Sequence, residues 1–172
     1  MAEGEIHKKL KVIAMKQGKE LCTDLVAREV KYKNMKSIAD VVSINIKRKE
    51  VRIFEAKATK ADYLRDKKLM NIDESYYKHC NYFYIICPKN IIMPEDICKE
   101  YGLIWVDLDT LEIEIKQKPK KYTGRLKTMF NTSLKNVLKA VTNDLLFHYV
   151  YPENGIETEY KKRRKRSIKK TK

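Results

Sequence analysis

Two runs of alternating, mostly β-branched residues limit the fold of this chain more than any other feature. They occupy positions 38–46 and 51–57 and are separated by a short polar segment centred on KRKE, which is the pattern of a β-hairpin. The first run contains Asp40, and the second ends in Glu55-Ala56-Lys57. Because burying a charge without a partner is expensive, these three charges must be paired or have a function.

The hairpin also predicts where the charges lie. If KRKE closes it symmetrically, the numbers of cross-strand partners sum to 97, so Asp40 pairs with Lys57 and Val42 with Glu55. Alternation then places the three charges on one face, at one end of the strands. Two carboxylates beside a backbone carbonyl suit Mg²⁺, and an adjacent ammonium can orient a water for phosphodiester hydrolysis. The alternative is a partly buried ion cluster without catalytic function.

The remaining pattern predicts a mixed α/β domain built on one sheet. Apolar spacing predicts a first helix over residues 4–17 that stops at Gly18, and Thr59 is a suitable N-cap for a second helix over 60–79. A third, short helix is expected between Pro94 and Gly102. Besides the hairpin, strands are predicted in the segments CTDLVAREVKY, NYFYIICP, LIWVDL and LEIEIKQ.

Four segments are expected along the chain. Residues 1–116 form the domain, 117–124 a basic connector, 125–151 a C-terminal helix and 160–172 a disordered basic tail. The helix carries an apolar stripe, which either packs against the domain or serves a homodimer or a partner helix. Its members are Leu126, Met129, Leu134, Val137, Leu138, Val141, Leu145 and Leu146.

Charge indicates the class of partner. The 172 residues carry a formal net charge of +15, and nine of the last twelve are Lys or Arg. Such a field favours a polyanion, most often nucleic acid, with an acidic membrane surface or an acidic protein as rivals. The tail is interpreted as a phosphate-tracking arm or a nuclear import signal, or else as a solubilising end.

No apolar run reaches the length that crosses a bilayer, so we expect a cytoplasmic protein, associated with the nucleoid in a bacterium or phage and nuclear in a eukaryote. The four cysteines form no CxxC pair and no zinc-type spacing with histidine. They are expected to be reduced and at least partly buried.

The site residues resemble the PD-(D/E)XK nuclease superfamily. Asp40 lies fifteen residues before Glu55-Ala56-Lys57, although Ala39 stands where the motif name has Pro. A closer resemblance, over about residues 20–108, is to the MmcB-like DNA-repair family. The blocks that look like its successive segments are REVKYKNMKSIADVVSI, VRIFEAKATKADYLRDKK, YYKHCNYFYIICP and MPEDICKEYGLIWVD.

This resemblance implies a restriction-endonuclease-like α-β-β-β-α-β core and a Mg²⁺- or Mn²⁺-dependent DNA nuclease in repair, recombination or mobile-element biology. It makes Asp40 and Glu55 metal ligands, Lys57 the catalytic lysine and Glu29 a further candidate ligand. Many superfamily members also place an acid inside the first helix, where this chain has IHKKLKVIAMK.

Cations and aromatic rings after Lys57 suit phosphate contact and base stacking, although Tyr76 and Tyr77 are assigned to the core in preference. The rival function is a nuclease-like module that binds DNA, or a repair complex through the 125–151 helix, without cutting. An RNA-binding or acidic-protein-binding adaptor rests on charge alone. The residues expected to contact DNA are Lys60, Arg65, Lys67, Lys68, Lys161, Lys162, Arg163, Arg164, Lys165 and Arg166.

Overall fold

The chain forms a mixed α/β domain around a six-stranded sheet flanked by helices, followed by a C-terminal helix. The computed structural model describes residues 3–21, 24–32, 37–70, 76–124 and 126–145. The elements are α1 Glu3–Leu21, β1 Leu25–Tyr32, β2 Ser37–Asn45, β3 Glu50–Ala56, α2 Lys60–Arg65, α3 Lys67–Met70, β4 Tyr82–Pro88, β5 Gly102–Val106, β6 Ile113–Gln117 and α4 Leu126–Leu145.

The strands follow one another across the sheet in the order in which they occur in the chain. Pairs β1–β2, β2–β3 and β5–β6 are antiparallel, whereas β3–β4 and β4–β5 are parallel. The predicted mixed sheet is therefore confirmed, and β6, from the predicted strand segment LEIEIKQ, forms one of its edges. Helix α1 packs its apolar residues Leu10, Ile13 and Ala14 on one face of this sheet, against residues that include Val41 and Phe54.

The predicted hairpin forms, but its predicted register is wrong by two residues. Val41 pairs with Phe54 and Asn45 with Glu50, so partner numbers sum to 95. The turn occupies residues 46–49, because the Asn45 side chain accepts a hydrogen bond from the Arg48 amide at 2.8 Å and Lys49 adopts the left-handed conformation. A shift by two preserves alternation, and it places Asp40 level with Glu55 rather than with Lys57.

Two helix boundaries also differ from the expectation. Helix α1 continues through Gly18, whose missing side chain lets the helix approach the sheet: a Cβ there would lie 3.2 Å from Ser43 Cβ. Between Pro94 and Gly102 there is only a 3₁₀ turn, Pro94–Asp96: the backbone of Ile97 is already extended, and Gly102 begins the buried strand β5. The sequence pattern alone did not reveal either packing requirement.

The second predicted helix begins as expected and then breaks. The Asp62 amide donates to Thr59 Oγ1 at 3.0 Å, which confirms Thr59 as the N-cap. Helix α2 ends at Arg65, α3 is one turn long, and a 3₁₀ turn covers Tyr76–His79. The break places Asp66, rather than a helix-interior residue, next to Lys57.

By compactness the chain divides into Met1–Ala140 and Val141–Lys172. In the first unit, the start of α4 is anchored where Ser133 Oγ meets Tyr32 Oη at 2.9 Å, and the stripe residues Met129 and Val137 are buried, whereas Leu138 is exposed. In the second, the described residues 141–145 form the last turn of α4. None of the described helices has both the length and the apolar character needed to cross a membrane.

Candidate active site

The candidate site forms where β2 and β3 separate. Strand β2 pairs with β1 from Ser37 onward, but its pairing with β3 extends only from Val41 to Asn45. In the gap, the Asp40 carboxylate accepts a hydrogen bond from the Ala56 amide at 2.9 Å, and Glu55 accepts one from the Asp40 amide. Each acid is thus held by the backbone of the opposite strand, and the two charges interact.

Helix α1 supplies a lysine and a histidine as partners of Asp40. Lys11 Nζ lies 3.0 Å from Oδ1, and His7 Nε2 lies 3.3 Å from Oδ2 and 3.1 Å from the Ala56 carbonyl oxygen. Burial alone would raise the pKa of Asp40, but the His7 hydrogen bond, the Lys11 charge and the Ala56 amide outweigh it and lower this pKa. Asp40 is therefore a stably ionised carboxylate.

Glu55 is less well satisfied. Its side chain is 9% exposed, and its Oε2 atom is buried without a hydrogen-bond partner. Burial and the neighbouring Asp40 charge raise the pKa of Glu55 to about 8, although the Lys57 charge opposes that shift. A buried acceptor without a partner carries its full desolvation penalty, so a cation near Oε2 would relieve it.

Lys57 contacts two acids in the same cluster. Its Nζ lies 2.9 Å from Asp66 Oδ2 and 3.8 Å from Glu55 Oε1, and the residue is 6% exposed. Burial would lower the pKa of Lys57, but Glu55 and Asp66 raise it above its ordinary value. The ammonium is therefore charged and oriented, and the sequence-predicted trio of Asp40, Glu55 and Lys57 is brought together.

Glu29 lies on β1 directly across from Asp40, between paired residues Arg28 and Val30, but its side chain is largely exposed. Its backbone is left-handed, with φ of 53°, which is uncommon for a residue other than glycine inside a strand. Its Oε1 lies 3.4 Å from Lys11 Nζ. Glu29 therefore reaches the site through Lys11, which lies between it and Asp40.

The expected DNA contacts are only partly described. Lys60 is exposed and pairs with Asp96 at 2.9 Å, while Arg65 and Lys67 are exposed. Tyr76 and Tyr77 are buried, which confirms their assignment to the core. The side chain of Lys68 and the tail residues 161–166 lie outside the described part of the chain.

Three members of the site were missed by sequence reasoning: His7, Lys11 and Asp66. His7 and Lys11 are four residues apart, so they share one face of α1, but a basic pair at this spacing is ordinary on an exposed helix. Asp66 follows Lys57 by nine residues inside a segment that was predicted to be continuously helical. Only the helix break, which caps α2 with Asp66, brings its carboxylate to Lys57.

The cysteines match their expected state where they are described: Cys80, Cys87 and Cys98 are free thiols, and the first two are buried. Among the described residues, no group of three or more His, Cys, Asp or Glu side chains has the geometry to hold a metal ion. Asp40 and Glu55 nevertheless offer oxygen donors of the kind that Mg²⁺ prefers, and Mg²⁺ usually needs few protein ligands. The buried, unpartnered Glu55 Oε2 fits one such cation.

Comparison with known proteins adds the fold alone. No family model matches the chain, and no curated protein matches its sequence. A solved structure that matches is SPO1766, a protein of unknown function from Silicibacter pomeroyi, with a TM-score of 0.58 and 16% identity. The match covers 75% of this chain and 82% of that chain.

Proposed function

We propose that this protein is a divalent-metal-dependent DNA nuclease. One observation carries the proposal: Asp40 and Glu55 converge at the separated end of β2 and β3, with the Lys57 ammonium 3.8 Å from Glu55 and one Glu55 oxygen left without a partner. An acid with a free oxygen beside an oriented lysine suits metal-assisted hydrolysis of a phosphodiester, because the acid can hold the metal and the ammonium can orient water. The resemblance to PD-(D/E)XK nucleases supports the same assignment.

Each residue has a distinct task in this proposal. Asp40 and Glu55 would hold Mg²⁺ or Mn²⁺, which when bound activates water and offsets the charge of the phosphodiester. Lys57 orients the attacking water and stabilises negative charge that develops on the phosphate. Asp66 fixes the position of Lys57 through the 2.9 Å contact, so the ammonium is held in place before the substrate arrives.

DNA is the proposed substrate because of the charge of the chain. The formal net charge of +15 favours a polyanion, and exposed Arg65 and Lys67 follow the site lysine closely in the chain. The basic residues 161–166 are proposed to track phosphates. Because such contacts are largely electrostatic, binding should weaken steeply with added salt and should show little sequence preference.

A cleavage assay tests the proposal. Purified protein is expected to nick or degrade linear, single-stranded or branched DNA with Mg²⁺ or Mn²⁺ and to stop when a chelator is added. Lys57→Ala should reduce the cleavage rate by roughly 10²–10⁴-fold while DNA affinity changes by less than about twofold. Lys99→Ala, which removes an exposed lysine, is the matched control and should cleave normally.

The second candidate is a module with this fold that binds DNA without cutting it. It is favoured by one specific observation: both Asp40 oxygens already contact cationic or N–H groups from Lys11, His7 and Ala56. Tight, salt-sensitive DNA binding by a wild-type protein that cleaves no substrate with either metal would select this candidate over the nuclease.

A further inference from the structure

A cation that belongs to the chain already lies among the carboxylates, and helix α1 supplies it. Lys11 Nζ lies 3.0 Å from Asp40 Oδ1 and 3.4 Å from Glu29 Oε1, and its side chain is only 17% exposed. Lys11 therefore bridges two acids, just as Lys57 contacts both Glu55 and Asp66. Since the interior of α1 carries no acid, this helix contributes positive rather than negative charge to the site.

We propose that Lys11 gates the metal site: its ammonium competes with a divalent cation for Asp40, and cation binding shifts it toward Glu29. This inference rests on the proposed function, because it concerns the same metal site. Two positive charges close to one carboxylate repel each other. A divalent ion bound by Asp40 and Glu55 would therefore weaken the Lys11–Asp40 contact, and the competition would lower the affinity of the wild-type protein for metal.

Two features of the structure support a displaceable ammonium. Glu55 Oε2 is buried without a partner, so the cluster still lacks one cationic or donor contact even with Lys11 in place. Glu29 provides a second acceptor for Lys11 that is exposed, and its left-handed backbone lies level with Asp40. Such backbone conformations cost on the order of 1 kcal/mol and concentrate at functional sites. A small movement of Lys11 would thus exchange one acid for the other.

Metal affinity measured without DNA tests the gate. In calorimetric titrations with Mn²⁺, Lys11→Met is expected to bind at least about tenfold more tightly than wild type, because one competing charge is gone. Lys16→Met removes an exposed lysine from the same helix and should stay within about twofold of wild type. A purely structural function of Lys11 would not produce a gain in affinity, and circular dichroism confirms that each variant is folded.

The gate is overturned if Lys11→Met binds Mn²⁺ no more tightly than wild type, or if neither protein binds it. A second variant separates the roles of the two acids. Adding Glu29→Gln to Lys11→Met should change affinity by less than about threefold if Glu29 acts through Lys11, whereas any larger loss would make Glu29 a ligand and overturn the proposed exchange. Failure of the nuclease proposal is a different result, namely no DNA cleavage, and it leaves this metal-binding comparison intact.

Discussion

Strand β3 carries a buried ion cluster near each end, and the two clusters are satisfied to different degrees. At its start, Glu50 contacts Arg52 at 3.2 Å through one oxygen and Lys121 at 2.8 Å through the other. Burial would raise the pKa of Glu50, but these cations lower it. At its end, Glu55 has nearly the same solvent exposure, yet one of its oxygens has no partner and its pKa is raised to about 8.

The difference shows that burial of an acid does not by itself mark a functional site. Glu50 and Glu55 have nearly the same solvent exposure, 6% and 7%, so exposure does not separate them. Glu55 lies deeper among protein atoms, adjoins the Asp40 charge and has one oxygen without a partner, whereas both Glu50 oxygens contact cations. Both oxygens of Glu50 contact cations of the chain, so a ligand would relieve no unpaired acceptor there. The contacts of Glu50 are those of a structural ion cluster, whereas the unpaired oxygen of Glu55 supports the proposed role of that residue as a metal ligand.

The largest expected effect on stability is at the start of β3, where both oxygens of Glu50 are paired. Glu50→Gln keeps the shape but leaves Arg52 and Lys121 without their acid, so it should lower the free energy of unfolding by about 2–4 kcal/mol. Urea denaturation at neutral pH measures this loss. Added Mn²⁺ should not restore it, and metal-dependent recovery would mean that Glu50 also belongs to a cation site.

A smaller change in stability, of opposite sign, is expected at the end of β3, where one oxygen of Glu55 is unpaired. Folding raises the pKa of Glu55 from 4.5 to about 8, so the folded state binds more protons between these values and stability falls as the pH rises through this window. Glu55→Gln, which cannot ionise, should match wild type near pH 4 and exceed it by on the order of 1–3 kcal/mol above pH 8.

Denaturation curves across that pH range, recorded with a chelator, measure the difference between Glu55→Gln and wild type. If the difference is the same at every pH, folding does not shift the pKa of Glu55, and the proposed contrast between the two ends of β3 is lost. Repeating the series with Mn²⁺ should reduce the advantage of the variant at high pH, because the bound cation stabilises the ionised carboxylate.

The smallest effect is expected at Asp66, the more exposed partner of Lys57. Its side chain is 27% exposed, so solvent screens the pair and Asp66→Asn should reduce stability by less than about 1 kcal/mol. The cleavage rate should fall by more than this loss of stability accounts for, since Lys57 would no longer be fixed in position. Thermal unfolding and cleavage kinetics on the same preparation compare the two; equal losses would reduce Asp66 to a structural partner.

Local sequence was sufficient to predict much of the fold. The alternating runs located β2 and β3, and Thr59 located the start of α2. The register failed because the local pattern counted Glu50 as a turn residue. Glu50 is instead buried in β3 by its contact with Lys121, 71 positions away, and a local pattern contains no information about such a partner.

The candidate site was likewise predictable only where local sequence determines it. Asp40, Glu55 and Lys57 follow from hairpin periodicity, because that periodicity is itself local. Lys11 and His7 do not, since their contacts with Asp40 depend on where α1 crosses the sheet. Gly18 helps to set that crossing by allowing α1 to lie against Ser43, although on sequence grounds this glycine was expected to end the helix.

Because the strand order across the sheet repeats the strand order along the chain, the sheet can grow one strand at a time as the polypeptide leaves the ribosome. The charged residues of the candidate site all lie between His7 and Asp66. They are therefore synthesised before β4, β5 and β6. The apolar stripe of α1, by contrast, needs Ile86 and Ile104 for its full burial. During synthesis, the contacts of His7 and Lys11 with Asp40 are therefore available to dock the first helix before its apolar contacts are complete.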